Sequence, residues 1–424
     1  MKILVVGSGG REHSIVWKVS QSPHVKEIYV APGNGGTSDI AENIDISVND
    51  VVGLKQFAKD KGIDYTIVGP EVPLVSGLVD EFEKEGLKIF GPSSRAAIIE
   101  GSKAFSKKFM SKYEIPTADY VIVNNPSAAT DIIKKERFKY PYVIKADGLA
   151  AGKGSIIIKN KKEAKTAIER LMVKKEFGVA GETVIFEEFI EGVETSFMVF
   201  ADGKRGFPMV TSKDFKRLEN NDEGPNTGGM GAISPSPYMD YDSIKDVYER
   251  IIMPTIYGMS LESRLFKGVL YAGLMLTQDG PKVLEYNCRF GDPETQAMMM
   301  RLNTDLIEIV DGVVNNTLKD MNIEWSLEPS GCVVLASGGY PEKYEKGKEI
   351  VGLKRAKMIK GVQIFHAGTK KEGNKVYTNG GRVLNVCASA TSLKKVMEKV
   401  YNAISFISFE NMVFRTDIGV EKEK

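Results

Sequence analysis

Lys282 to Gln296 reads KVLEYNCRFGDPETQ. Its first half predicts a strand, because Val283, Leu284 and Tyr286 suit a pleated, half-buried surface. Side chains alternate across a strand, so Glu285, Asn287 and Arg289 share one face. That face carries a carboxylate, an amide and a guanidinium within about 14 Å, at ~3.4 Å per residue. Carboxylate and amide oxygens are hard donors suited to Mg²⁺, which takes one or two protein ligands and completes its shell with phosphate oxygens. Arg289 adds a fixed fork for a carboxylate or phosphate. A solvated strand face is the plain alternative for an E-x-N pair. The turn Gly291-Asp292-Pro293-Glu294 brings two more acids beside the first, which favours a metal–phosphate site.

Upstream segments supply candidate phosphate contacts. Gly101 to Glu114 reads as a helix with Phe105, Phe109, Met110 and Tyr113 on its apolar side and Lys103 and Lys107 on the other, stopped by Pro116. A strand at 142–147 leads into Gly148-Leu149-Ala150-Ala151-Gly152-Lys153-Gly154, and a second apolar strand follows at 155–158. This is not a P-loop, which would need one more residue between its glycines and a helix after it. A glycine loop between strands, flanked by Lys145 and Lys153, instead suits a flap over a triphosphate. Lys145 lies inside an apolar strand, where an unpaired ammonium would be costly. The next apolar strand exits through Glu187, Glu188, Phe189 and Ile190 towards Glu194, an arrangement that fits an adenine slot with a ribose acceptor. Residues 224–231, GPNTGGMG, form either a linker or a cradle of backbone donors. Before the opening stretch, Val269 to Leu276 pairs with it as a hairpin turning at Gln278-Asp279-Gly280-Pro281.

Residues 1–100 alternate strand and helix. Apolar runs at 2–6, 27–30, 65–68 and 88–90 each end in a glycine- or proline-rich loop, with helices expected at 11–20, 50–60 and 76–85. That alternation predicts an open parallel sheet whose ligands bind at the carboxyl ends of its strands. The loop Gly7-Ser8-Gly9-Gly10 invites a nicotinamide reading, but a dinucleotide fingerprint needs a small residue where Glu12 stands. Ala31-Pro32-Gly33 also replaces the acid that would hold a ribose. A glycine loop opening a helix still offers N–H groups and a positive dipole end to a phosphate, so a phosphorylated small molecule is favoured.

The 424 residues predict two to four domains, each with its own core. A formal net charge of +1 gives no electrostatic case for a nucleic-acid or membrane partner. No apolar run approaches the ~18 residues that span a bilayer. Cys288, Cys332 and Cys387 form no C-x-x-C pair, so free buried thiols in a reducing cytoplasm are expected, with no zinc site. Further strands fall at 332–336, 363–366 and 382–387; this last region shows no chemistry of its own and reads as a closing domain, with His366 a core histidine.

The ordered blocks GSGGREH (7–13), APGNGGT (31–37), IVGPEVPLV (67–75), EGSKAFSK (100–107), IKADGLAAGKG (144–154), GPNTGGMGA (224–232), YNCRFGDPETQ (286–296), FHAGT (365–369) and TNGGRVL (378–384) resemble the glycinamide ribonucleotide synthetases (phosphoribosylamine–glycine ligases), ATP-grasp enzymes of purine biosynthesis. The resemblance runs nearly end to end, with Ser8 where the family more often has asparagine. It implies an N-terminal open parallel α/β (pre-ATP-grasp) domain at 1–100. An ATP-grasp α+β domain at 101–325 would follow, with a mobile lid at about 118–190, and then a small β-rich C-terminal domain at 326–424. It implies ATP-dependent amide formation between glycine and 5-phosphoribosylamine, without a nucleophilic side chain, with Mg²⁺ or Mn²⁺ and ATP as co-substrate, in a monomer acting on small molecules only. Position by position, Lys103, Lys145, Gly152 and Lys153 would hold phosphates, Glu187, Glu188, Phe189 and Ile190 would read adenine, and Glu194 the ribose. Glu285 and Asn287 would ligate the metal. Arg289, Asp214 and Lys145 would serve the chemistry. Gly9, Gly10, Arg11, Asn34 and Glu71, with Asn226, Thr227, Gly228, Gly229 and Met230, would contact the other substrates. A related ATP-grasp ligase, a nicotinamide dehydrogenase and a nucleotide-binding regulator are the rival readings.

Overall fold

The computed structural model describes residues 1–149 and 154–420. Its N-terminal sheet is wholly parallel, ordered Glu42–Asn43, Glu27–Pro32, Lys2–Gly7, Tyr65–Val68 and Ile89–Phe90. The order reverses on either side of Lys2–Gly7, so the crevice for a ligand opens at the carboxyl end of that strand. The loop there leads into helix Gly10–Val19. Glu12, the residue that spoils the dinucleotide fingerprint, turns back to accept the Gly9 N–H at 2.6 Å and the Arg11 Nε at 2.5 Å.

A helix, Ser94–Gly101, runs up to the helix expected at 101–114, which is present as Lys103–Lys112. They break at Ser102, which leaves the helical conformation and caps the second by accepting from the Phe105 N–H. The second helix does not present all its lysines to water, since Lys107 is only 2% exposed.

Strands Tyr120–Val123, Val184–Glu188, Tyr142–Ala146 and Ser155–Ile158 make an antiparallel sheet in that order. Helices Pro126–Lys134 and Lys161–Ile168 cover it, and this unit has a core of its own, including Ile133, Ile144, Ile158, Leu171 and Phe186. A second antiparallel sheet runs Gly206–Pro208, Val193–Asp202, Lys267–Thr277 and Gly280–Asn287. The cores here depart from one core per domain. Leu4 and Val6 pack with Leu270, Leu274 and Val283, while Ile3 and Val5 pack with Met198, Phe200 and Val269. Opposite faces of one N-terminal strand are thus buried with elements from the middle of the chain.

The last sheet also crosses the expected boundary at 325. Lys213–Asp214 and Gly231–Ser234 form its edge, followed by Ser330–Ser337, Arg382–Ser389 and Val362–His366, with helix Leu393–Ile404 against it. All three cysteines are free and buried. Among the described residues no helix is long and apolar enough to cross a membrane.

Candidate active site

The strand Gly280–Asn287 forms the floor of the site. Its pairing with Lys267–Thr277 jumps from Gly273↔Glu285 to Leu274↔Val283, a bulge that leaves Leu284 without an opposite. The freed Leu284 carbonyl accepts from Lys145 Nζ at 3.3 Å. Beyond the bulge Glu285 opens to the cleft, whereas Asn287 is 8% exposed. Neither side chain makes a hydrogen bond to the described residues. The three acids of the opening stretch part company. Glu294 is 2% exposed and accepts from Tyr271 Oη at 2.7 Å and Ser196 Oγ at 2.9 Å. Asp292 is ion-paired to Arg382 at 2.8 Å. Only the Glu285 carboxylate stays uncommitted. Its enclosed setting would raise its pKa, but Lys216, Lys145, Lys103 and Arg289 outweigh that and hold it below the usual carboxylate value.

These cations come from different elements. Lys145 meets Glu187 at 2.8 Å, and Lys107 meets the same carboxylate oxygen at 3.2 Å. Burial, resisted by Glu187, lowers Lys107 to about 8. The buried lysines thus explain why the Glu187 side chain turns inward; its backbone lies between Tyr120 and Val143 in the sheet. Glu188 has its N–H on the Asp119 carbonyl, and Phe189 and Ile190 are the half-buried part of the expected adenine slot. Lys103 donates to the Gly148 carbonyl at 2.8 Å, and burial lowers its pKa. Lys216 pairs with Glu194 at 3.2 Å. Gly152 and Lys153 lie outside the described residues.

Arg289 is shared by Glu71, at 3.3 Å, and Glu100, at 3.5 Å. Burial raises both carboxyls, but Arg289 and Arg11 bring Glu71 below its usual value, whereas Glu100 stays above it despite Arg289. Glu100 also accepts the Cys288 N–H at 2.6 Å, tying the floor strand to helix Ser94–Gly101.

Several residues expected to contact substrate are engaged with other parts of the protein. Arg11 is 6% exposed and spans Glu12 and the Phe290 carbonyl. Asn34 donates to the Ser8 and His366 carbonyls and accepts from the Gly36 and Thr37 N–H groups, so it ties the first two loops to the C-terminal region. At Gly10 an added methyl would collide with Asn385 from the C-terminal sheet. Gly9 stays at the cleft. In the 224–231 loop, read as either a linker or a cradle of backbone donors, four N–H groups are engaged within the protein. Thr227 N–H goes to the Lys216 carbonyl, Gly228 N–H to Tyr340 Oη, Gly229 N–H to Thr227 Oγ1 and Met230 N–H to the Phe215 carbonyl. Asn226, by contrast, is exposed. Gly229 has φ +108°, and a methyl there would collide with Pro293 and approach Asp214 Oδ1. That Asp214 oxygen is buried without a hydrogen-bond partner; burial first, then Glu294, pushes its carboxyl well up.

The C-terminal region, read as a closing domain, also lines the cleft. A cavity of about 430 Å³ lies between Gly9 and Asn34 on one side and Gly368, Asn379 and Arg382 on the other, with Asp292 beneath. Sequence reasoning missed Lys216, Glu100 and Arg382; Glu100 and Arg382 sat inside the quoted blocks EGSKAFSK and TNGGRVL, and Lys216 two residues after Asp214, with no role read for any of them. His366 is a core residue as expected, 1% exposed, with burial lowering it to about 3.

With this geometry in hand, the comparisons with known proteins agree with one another. The phosphoribosylglycinamide synthetase N domain matches residues 1–100, its ATP-grasp (A) domain residues 101–295 and its C domain residues 330–421. A phosphoribosylamine–glycine ligase of Caldanaerobacter subterraneus subsp. tengcongensis is 49% identical over 419 residues, covering 99% of each chain. The crystal structure of the phosphoribosylamine–glycine ligase of Thermotoga maritima superposes with a TM-score of 0.85 at 33% identity, over 98% of this chain and 100% of that one. A biotin carboxylase domain from Hydrogenobacter thermophilus, 15% identical, shares the fold with a TM-score of 0.72 over 97% of this chain and 91% of its own. The chain belongs to the phosphoribosylglycinamide synthetase family of ATP-grasp ligases.

Proposed function

We propose that the chain joins glycine to 5-phosphoribosylamine with ATP, giving glycinamide ribonucleotide, ADP and phosphate through glycyl phosphate. The observation that carries this reading is the Glu285 carboxylate, open in the cleft and kept ionised by cations from four segments. A hard carboxylate oxygen beside the Asn287 amide suits Mg²⁺ or Mn²⁺, so Glu285 and Asn287 would hold the metal. When bound there, a divalent cation neutralises charge on the phosphates being transferred.

The chain's own residues then have defined work. Lys103, Lys145 and Lys216 place positive charge around the triphosphate, with Phe189 and Ile190 beside the base and Glu194 beside the ribose. Arg289, already neutralising two carboxylates, offers its remaining face to the glycine carboxylate. The γ-phosphoryl passes to a glycine oxygen and ADP departs. The amine nitrogen attacks the carbonyl carbon, the C–O bond to phosphate breaks, and the nitrogen loses a proton. Asp214, whose pKa is pushed upward, is the base placed against the Gly229 turn to receive it. Positioning and charge neutralisation supply most of the rate. The cavity between Gly9 and Arg382 takes the phosphoribosylamine. We further propose a monomer in a reducing cytoplasm, consistent with three free, buried thiols.

The test is phosphate release by the purified chain with ATP and Mg²⁺, supplying glycine and freshly generated phosphoribosylamine together and then omitting each. Release should need both. Glu285→Gln should cut turnover by about 100-fold or more, the scale of one preorganised charge contact, while leaving the thermal midpoint within a few degrees. Faster release with another acid in place of glycine would assign the protein to a different ATP-grasp ligase.

A further inference from the structure

Arg382 opens the strand Arg382–Ser389, yet its side chain leaves the C-terminal sheet. Its Nη1 is shared by three carbonyls: Gly228, Gly229 at 3.4 Å and Asp292 at 2.8 Å. Its Nη2 meets Asp292 Oδ2 at 2.8 Å. The other side of the Gly228 peptide is also held from this region, since its N–H donates to Tyr340 Oη at 2.9 Å. The guanidinium packs close against Gly228, where a Cβ would sit 3.1 Å from the Arg382 Cζ. Asp292 in turn accepts from Gln296 Nε2 at 2.6 Å and lies against Gly9 at the mouth of the first loop. One guanidinium therefore stands where all three parts of the chain meet.

We infer that Arg382 is a positioning residue for ligation: it locks the 228–229 turn to the 290–294 turn and so sets the spacing between Asp214 and Arg289. Arg382 acts through these two turns. Asp214 packs against Gly229, and Arg289 immediately precedes the second turn, with its own Nη1 on the Phe290 carbonyl. Only a planar fork bridges carbonyls and a carboxylate on two separate loops, and a lysine offers one point instead. A loosened lock misplaces acyl donor and proton acceptor relative to each other, while the nucleotide contacts of Lys103, Lys145, Phe189, Ile190 and Glu194, which lie outside the two turns, stay as they are. This inference rests on the ligase reading above.

The experiment uses the full chain and its R382M, R382K and Y340F variants. Turnover is measured with ATP, glycine and phosphoribosylamine, alongside equilibrium binding of a non-hydrolysable ATP analogue and the thermal midpoint. R382M should lose about 100-fold in kcat, the scale of an ångström of misplacement, with nucleotide affinity within about 3-fold of wild type. R382K should stay near R382M. Y340F, which removes one hydrogen bond to Gly228, should lose about 5-fold in kcat. The inference is overturned by a folded R382M with near-normal kcat, by full recovery in R382K, by equal loss of nucleotide affinity, or by a loss confined to KM for the amine, which would mark direct substrate contact. If R382M does not fold, Y340F decides, and an unchanged kcat refutes the lock. A wild-type chain that releases no phosphate with both substrates sinks the ligase reading itself.

Discussion

Glu187→Gln removes one charge and almost no volume from the most enclosed ion cluster of the site. The carboxylate is 3% exposed, with Oε2 at 2.8 Å from Lys145 Nζ and 3.2 Å from Lys107 Nζ, and its Oε1 has no partner. At an effective dielectric of about 20, each attraction is roughly 5–6 kcal/mol. Much of that offsets the cost of bringing three charges out of water, so the pair sum overstates the loss. The loss also has a ceiling. Lys107 is at about 8 with the carboxylate present, so without it the amine sheds its proton near neutral pH and ceases to be a buried charge. The net destabilisation should be about 3–5 kcal/mol, as for other buried pairs that lose one partner. With an unfolding entropy of about 2.1 cal/mol/K per residue, the 424 residues unfolding together would lose about 3–6 °C in thermal midpoint. Separate unfolding of the 118–190 unit would enlarge the drop. Lys145 should also lose its fixed pose, with KM for ATP rising about tenfold, the equivalent of 1.4 kcal/mol. Calorimetry and initial rates check both. A midpoint within about 1 °C of wild type, with unchanged KM for ATP, would refute the view that these lysines need a buried counter-charge.

Two further perturbations probe the same scaffold. Lys107 has a folded pKa of about 8 against an ordinary value of 10.5, because burial outweighs its partner. The unfolded chain therefore binds more protons between those values, so this lysine's contribution to stability rises with pH from about 8 to about 10.5 and is flat below, by up to ~3 kcal/mol. Lys107→Met should remove that share of the slope in denaturation midpoints measured across the window; parallel curves for the two proteins would count against it. Gly10→Ala should cost about 1–3 kcal/mol by overpacking, because the new methyl collides with Asn385. Adding Asn385→Ala should recover part of the loss in chemical denaturation, and strict additivity would show that the two residues do not meet.

The parallel N-terminal sheet was legible because its signal is local. Four of its five strands are apolar runs ending in a glycine or proline loop, and Tyr65–Val68 falls where the pattern placed it, whereas the short Glu42–Asn43 carries no such run. The floor strand with Glu285 and Asn287 was legible for the same reason. The burial of Lys107, placed on the polar side of its helix, was not legible because helical periodicity knows only its own helix, and the carboxylate that keeps it inside lies eighty positions on, at Glu187. The 224–231 glycines suggested free N–H donors, but partners supplied by Phe215, Lys216 and Tyr340 are invisible in the loop itself. Sheet membership failed at 213–214 and 231–234 because strand pairing with 330–337 is a long-range choice. Arg382 lay inside the quoted block TNGGRVL, but its role was not legible there because its partners are two loops 90 and 154 positions away.

Contacts of that kind cannot hold the site together alone. A typical hydrogen bond nets about 1 kcal/mol, while closing each long loop costs entropy that grows with its length. Asn34 reaches His366 across 332 residues and Arg11 reaches Phe290 across 279. What offsets those closures is apolar burial: the two faces of Lys2–Gly7 pack against the central hairpin, and Ile233 with Phe215 packs under the C-terminal sheet. The shared cores bring the loops to within reach, and the polar contacts then choose among nearby arrangements. It follows that removing a half-exposed site contact such as Lys216–Glu194 should alter turnover well before it alters stability. Glu187 is the exception, because its ion cluster is itself part of the buried interior.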